Sequence, residues 1–556
     1  MTVMKGKHAL MEMLRAEGVE YIFGNPGTSE NPFMEALESY PDLKYMLVTQ
    51  EGVAIGMADG YARASGKTGF LNLHIETGLA NGISLMHNAM EGGTSMVVTS
   101  CNKDIRELAH GRTDLKEMVK LFTKWAAEVT HPEQMPYMVR KAFNEAKTAP
   151  LGPTYLSFSA NALDHEGEMD LAPSAKFFPR IAPDSRAVEE AARLLAHAQN
   201  PAIVFSDRVA QSGAVMELTR LAELTGARVY SAINSEVNIA ASHPQYMGGI
   251  RLGYGDGAKV LGKADVVLYV GRMMSGYYMY SEPTLRYFDP QAKFIHMDVD
   301  SRDVGSIQPT DVGMVCDVKV GLVHLADRLE SGMSGAAREA AIGRATTIGA
   351  EKAKRRDAWQ ARTKAKWNNN PMPAERMMAE IKKALPKDAV IADDGVTSRD
   401  ALYNTISFDE PGSIYSARGG SLGWGIGGTM GVKLALPDRP VVGILGDGSA
   451  MMTVQGLWTA AVYNIPAVYC ICNNGAYRVL KLNMNAYKTG VLKEQEPKSK
   501  YIGMDFPIPF DFVGMAESMG VSAKRITDPA DLAPALDRAI ASGKPALLDV
   551  VIDGSV

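Results

Sequence analysis

The feature that most restricts this chain is a pair of apolar runs, each ending in small polar residues. Val441-Val-Gly-Ile-Leu445 runs into Gly446-Asp447-Gly448-Ser449, and a second run, 467–471, leads to Asn473-Asn474-Gly475, with 24 residues between Gly448 and Asn473. Short runs rich in Val, Ile and Leu, bounded by Gly and Asn, read as strands buried on both faces. The interval suits one helix and a return strand. A βαβ crossover of that kind brings both strand ends to the carboxyl edge of one parallel sheet, where such sheets bind ligands. Asp447 and Asn474 can then meet around one ion.

The oxygen donors suit magnesium, which commonly shares an octahedron between one or two carboxylates, water and substrate phosphates. The Asp447 carboxylate, the Asn474 amide oxygen and a backbone carbonyl from Ala476 would leave room for a diphosphate. Gly446 and Gly448 let backbone amides approach phosphate oxygens, and the following helix points its positive end at them. Gly-Asp-Gly alone reads most simply as a tight strand-to-helix turn. Paired with Asn-Asn at this spacing, it resembles the thiamine diphosphate signature.

The same alternation of short strands and helices runs through the whole chain. Its 556 residues, 46% hydrophobic, exceed what one core holds, since single cores rarely grow beyond roughly 250–300 residues. The pattern predicts an α/β protein of three doubly wound parallel-sheet domains: residues 1–170, a central Rossmann-like unit at 184–330, and 371–556. Residues 331–370 form a linker whose Ala-, Gly-, Arg- and Lys-rich part, 331–366, carries no strand signal. No fixed-period repeat links the units. With 58 Lys+Arg against 63 Asp+Glu and no basic run interleaved with aromatics, nucleic acid is not an expected partner. No apolar run approaches the ~18 residues that cross a bilayer. The amphipathic start and four cysteines, at 101, 316, 470 and 472, outside metal-site or disulfide-framework spacing, give a cytoplasmic expectation. The central unit shows no Gly-x-Gly-x-x-Gly after a strand, so FAD is not expected.

The resemblance to the thiamine diphosphate signature implies a partner carboxylate that activates the cofactor. Glu51, in Leu47-Val-Thr-Gln-Glu51-Gly-Val-Ala, follows an apolar strand and opens a helix. Alone it reads as a first-turn acid that favours the helix dipole; with the downstream motif it is the candidate. Phe23-Gly-Asn-Pro-Gly-Thr28-Ser-Glu30, Gln50-Glu51, Ala58-Asp-Gly-Tyr-Ala62, Asn72-Leu-His74 and the two downstream motifs together resemble the acetolactate synthase and benzoylformate decarboxylase group, with the benzoylformate decarboxylase pattern fitting best. That resemblance implies pyrimidine-binding, central and diphosphate-binding domains in this order. It implies a homodimer or homotetramer with active sites between subunits. Glu51 is then the residue that activates the cofactor's aminopyrimidine.

Other roles carry over by position. Leu422, in Arg418-Gly-Gly-Ser-Leu422-Gly-Trp, falls where the family wedges a bulky apolar residue between the cofactor rings. Gly420 would offer its carbonyl to the aminopyrimidine, with Thr397, Ser398, Gly448 and Ser449 around the diphosphate. Thr28 matches a serine that contacts the substrate carboxylate, and His74 matches an active-site histidine, a proton-transfer candidate. The family's second histidine has no counterpart: Tyr278 stands at its position, and His110 is a loop histidine able to enter the cleft. Val479 and Asn483 replace a small residue and a phenylalanine, which weakens an aromatic preference. The resemblance implies decarboxylation of a 2-oxo acid through an ylid and an enamine. The alternative is a carboligase or lyase, acetolactate synthase-like or 2-hydroxyacyl lyase-like, in which the same enamine attacks a second aldehyde or oxo acid, or an acyloin is split by the reverse step.

Overall fold

The computed structural model describes residues 2–107, 111–175, 178–232, 234–252, 255–273 and 287–556. The first domain contains β1 (Thr2–Lys5), β2 (Tyr21–Asn25), β3 (Lys44–Leu47), β4 (Gly69–Leu73), β5 (Met96–Asn102), β6 (Trp125–Val129), β7 (Pro153–Ser159) and β8 (Glu166–Met169). The central domain contains β9 (Pro201–Phe205), β10 (Arg228–Ser231), β11 (Tyr246–Gly249), β12 (Val266–Val270), β13 (Lys293–Asp298) and β14 (Val312–Val315). The third contains β15 (Val390–Asp394), β16 (Ile414–Ser416), β17 (Val441–Gly446), β18 (Ala467–Asn473), β19 (Ser522–Ile526) and β20 (Ala546–Val551).

Each domain is a six-stranded parallel sheet flanked by helices, in the orders β3-β2-β4-β5-β7-β6, β11-β10-β9-β12-β13-β14 and β16-β15-β17-β18-β20-β19. β1 and β8 form a separate antiparallel pair. The inner strands are buried along nearly their whole length because both faces are covered. Ile22, Phe70 and Val97 enter one core while Phe23, Leu71 and Val98 enter the other, as the two-residue period requires. The second of these cores also takes Val390, Val441, Leu445 and Tyr469 of the third domain. The first and third domains are thus built around one shared core, while the central sheet buries its own side chains separately.

Two helices make that shared core, Glu51–Ser65 from the first domain and Trp424–Ala435 from the third. They approach glycine to glycine. A Cβ on Gly60 would lie 2.3 Å from the Gly428 carbonyl oxygen, and one on Gly431 would lie 2.0 Å from that of Met57, so neither position has room for a side chain. The Trp424 indole N–H donates to Asp59 at 2.7 Å across this contact. The connector is one long helix, Gly335–Ala365, capped by the Ser334 hydroxyl at the Ala337 N–H. Arg344 ties it to the Thr225 carbonyl at 2.7 Å.

Candidate active site

In the first sheet β2 and β4 are neighbours whose chains leave in opposite directions, which opens a crevice beyond their carboxyl ends. Asn25 ends β2, and its side-chain amide donates to Glu51 Oε1 at 2.9 Å; the Asn81 amide donates to Oε2 at 3.0 Å. Glu51 is buried as the first residue of its helix, whose start is fixed by the Gln50 side chain accepting from the Val53 N–H at 3.1 Å. A buried carboxylate accepting from two neutral amides is fixed in direction.

His74 follows β4 directly. Its Nδ1 lies 2.8 Å from Glu30 Oε2 and 3.1 Å from Ser29 Oγ. Glu30 is fully buried, and its carboxylate also accepts from the Gly27 N–H at 2.9 Å and the Cys101 N–H at 3.1 Å. Sequence reasoning quoted Glu30 within a motif and gave it no role, because nothing along the chain links it to a histidine 44 positions on. Thr28 sits exposed on the short Thr28–Glu30 helix.

The third sheet repeats the arrangement at β15 and β17. Asp447 opens the turn after β17 and is buried. Its Oδ1 accepts from the Gly448 N–H at 2.7 Å, and Oδ2 from the N–H groups of Asn474 at 3.0 Å and Gly475 at 2.8 Å. Burial pushes its carboxyl up against those hydrogen bonds. Asn474 Oδ1 accepts from the Ala476 N–H at 3.2 Å. A Cβ on Gly448 would meet the Tyr477 ring at 2.5 Å. Thr397 and Ser398 follow β15, Ser398 buried at the start of the Arg399–Thr405 helix. The Ser449 hydroxyl is engaged internally: it donates to Asp394 and accepts from the Gly423 N–H at 3.0 Å. Asp394, not singled out from sequence, also accepts from the Gly425 N–H at 2.9 Å, and burial pushes its carboxyl up to about 6.

Gly420 has φ +90° with open space where a Cβ would stand, as suits a run presenting backbone to a ligand. With Leu422, Val479 and Asn483 it lines a cavity of about 370 Å³, to which Asp394 and Val396 also contribute. Lys481 turns instead to Asp505, and Asn485 accepts from the Tyr501 hydroxyl at 2.9 Å. Thr28, Glu51 and His74 are not among the residues lining this cavity. His110 and Tyr278 lie outside the described residues.

The donor set fits a magnesium diphosphate. Among the described residues no group of three or more His, Cys, Asp or Glu side chains could hold a metal. Asp447 and Asn474 instead supply hard oxygens with one negative charge, leaving the remaining anionic oxygens to come from the ligand.

The chain matches family models described as the thiamine pyrophosphate enzyme N-terminal TPP binding domain at residues 4–121, central domain at 188–325 and C-terminal TPP binding domain at 395–550. It is 27% identical to a benzoylformate decarboxylase of Pseudomonas aeruginosa, over 98% of this chain and 99% of that one. It is 28% identical to a probable acetolactate synthase large subunit of Methanocaldococcus jannaschii, over 99% and 92%. Its fold is similar to the solved structure of a thiamine diphosphate-dependent 4-hydroxybenzoylformate decarboxylase of Rhodococcus jostii RHA1, with TM-score 0.83, 26% identity and 99% of each chain covered.

Proposed function

The chain belongs to the thiamine pyrophosphate enzymes, matched in all three of their domains, and on that premise we propose that it decarboxylates a 2-oxo acid using thiamine diphosphate and magnesium. The observation that carries this reading is Glu51, a buried carboxylate held by Asn25 and Asn81 in a crevice whose counterpart in the third sheet holds Asp447 and Asn474. The bound cofactor supplies the carbon nucleophile and electron sink that loss of carbon dioxide requires.

In this reading the protein's residues bind, aim and move protons. Asp447, Asn474 and the Ala476 carbonyl hold magnesium, with Thr397, Ser398, Gly448 and Ser449 around the diphosphate. Gly420 and Leu422 set the ring geometry. Glu51 shares a proton with the aminopyrimidine, its carboxylate fixed in direction by the two amides. His74, with Glu30 on Nδ1, carries its exchangeable acid–base position at Nε2 and delivers protons there, while Thr28 contacts the substrate carboxylate. Glu51 is not among the residues that line the cavity walled by Gly420 and Leu422, which supports a reading in which the site is completed between two subunits of at least a homodimer.

A carboligase reading has its own support: similarity to an acetolactate synthase is as strong as that to a decarboxylase. Carbon dioxide release by the loaded protein across aromatic and aliphatic 2-oxo acids, with and without an added aldehyde, tests both. Release without added aldehyde, with the free aldehyde as the organic product, supports the decarboxylase, whereas release with a carbon–carbon-coupled product supports the carboligase. Product formed only when aldehyde is present moves the assignment to the carboligase, and silence under both conditions with cofactor bound overturns both.

A further inference from the structure

The central domain contributes none of the described residues assigned above, yet it forms one end of the cavity that Gly420, Leu422, Val479 and Asn483 line. In its sheet β9 and β12 are the neighbours whose chains diverge, so their carboxyl ends mark the binding crevice of a doubly wound sheet. β9 runs into Ser206-Asp207-Arg208 and β12 into Gly271-Arg272, and Ser206, Asp207, Arg208 and Arg272 all face the cavity. One continuous space therefore joins the wall expected to hold the reacting centre to a pair of arginines at a sheet switch point.

The arginines around this cavity differ in how well their charge is answered. Arg399 pairs with Asp393 at 2.8 Å, and Arg418 is bonded to Glu236 and to the Ser235 hydroxyl. Arg272 pairs with Glu91 at 3.0 Å. Arg208 is less well served. One Nη donates to the neutral Gln211 amide oxygen at 2.9 Å, its nearest carboxylate, Asp298, stands 3.5 Å away, and its Nε makes no hydrogen bond. Its side chain is only 12% exposed. Burial, with Arg272 adding to it, holds the Arg208 guanidinium below its ordinary range. The Ser206 hydroxyl beside it is likewise buried without a partner. Buried polar groups left in this condition are costly unless a ligand completes them.

We propose that Arg208 and Arg272, with Ser206, form an anion subsite for the distal acidic group of the substrate, making this a site for 2-oxo acids that carry a second negative charge at the far end. This rests on the reading of the reacting end as a 2-oxo acid site, and extends it to the substrate's other end. A planar guanidinium pair suits a carboxylate, which it can bind through two parallel N–H donors.

The test is equilibrium binding by calorimetry to the protein loaded with thiamine diphosphate and magnesium, using non-reacting probes so that turnover is not required. Glutarate is compared with pentanoate, in which a methyl replaces one carboxylate, and adipate with hexanoate. The diacid of each pair is expected to bind at least about tenfold tighter. Arg208→Gln should bring each ratio close to one. Since that change also leaves Asp298 buried opposite a neutral group, the half-exposed Arg272→Gln is the second variant, expected to lower the ratios about threefold in a protein with wild-type melting behaviour. Equal binding of diacid and monoacid, or ratios unmoved in Arg272→Gln and in folded Arg208→Gln, would overturn the subsite. AMP binding tighter than either diacid through the same arginines would assign the charge to a separate phosphate ligand and overturn the substrate form. A panel in which aromatic monoacids release carbon dioxide while glutarate fails to bind would reject this inference and leave the decarboxylase reading standing; Arg208-dependent diacid binding with no carbon dioxide released from any 2-oxo acid, 2-oxoglutarate included, would leave the anion subsite and reject the decarboxylase reading.

Discussion

The first and third sheets have one strand order, position for position, β3-β2-β4-β5-β7-β6 against β16-β15-β17-β18-β20-β19, and they answer the same topological problem with different chemistry. At the first switch point stand Glu51 and the His74–Glu30 pair, the groups proposed above to move protons. At the third stand Asp447 and Asn474, oxygen donors held by backbone N–H groups. The equivalent helices Glu51–Ser65 and Trp424–Ala435 pack against each other in the shared core. A sheet edge thus specifies where a ligand sits, while the side chains on its loops specify what is done to it.

The comparison breaks most sharply at Glu51. Glu51→Gln is expected to lower turnover by about 10³-fold while circular dichroism and the cofactor-induced rise in melting temperature stay as in the wild type. Asp447→Ala should abolish that rise. If Glu51→Gln also lost cofactor binding, the division between proton chemistry and anchoring would fail.

The packing of the two equivalent helices is the next test. Gly431→Ala places a methyl 2.0 Å from a backbone oxygen that cannot turn away, and should cost about 3 kcal/mol in urea unfolding. Gly343→Ala on the connector helix meets nothing within 4 Å and should be neutral or slightly stabilising. Equal effects would deny the shared core its role.

Asp394 ends β15 where the neutral Asn25 ends β2, so it should give the third domain its own pH dependence. Its folded carboxyl is pushed up to about 6 from an ordinary 3.8, so the folded protein holds that proton more tightly than the unfolded chain. This stabilisation is complete below pH 3.8 and is lost as the pH rises through about 6, a swing of up to about 3 kcal/mol. Asp394→Asn should flatten unfolding free energy across this window in chemical denaturation at stepped pH.

The smallest expected effect concerns Glu30. Glu30→Gln removes the carboxylate from His74 Nδ1 and should slow turnover about tenfold, and Glu30→Gln in a His74→Asn background should cost little more. Additive losses would separate the two residues.

Apart from β3, an edge strand that is legible in the run at 45–48, the strands that can be read along the chain and those that cannot differ in one physical respect. β2, β4, β5, β7, β9, β10, β12, β13, β15, β17, β18 and β20 lie inside their sheets and are buried on both faces, so their largely apolar runs are plain along the chain. The parallel strands that cannot be read in this way, β6, β11, β14, β16 and β19, are all at sheet edges. Ser522–Ile526 buries only its last residue, and Tyr246–Gly249 buries none, so neither yields a continuous apolar run. β16 is buried but only three residues long. The connector, which carries no strand signal, is a single helix with little buried surface. At the site, residues within a few positions of a strand end were legible. Partners recruited from elsewhere were not, Asn81 for Glu51 and Glu30 for His74; nor was Asp394, which ends β15 but is joined to Ser449 only across the sheet edge.

What the sequence by itself determined is what depends on neighbours along the chain: the inner strands, the helix starts, the Gly-Asp-Gly and Asn-Asn turns, and through them the family. The equivalence of the first and third sheets has no repeat in the sequence, because strand order follows from burial and crossover handedness, which many sequences satisfy. The shared core and the arginines of the central crevice were likewise decided by tertiary structure. A side chain's partner is set by which strand ends meet at a sheet edge, and distance along the chain carries no record of that meeting.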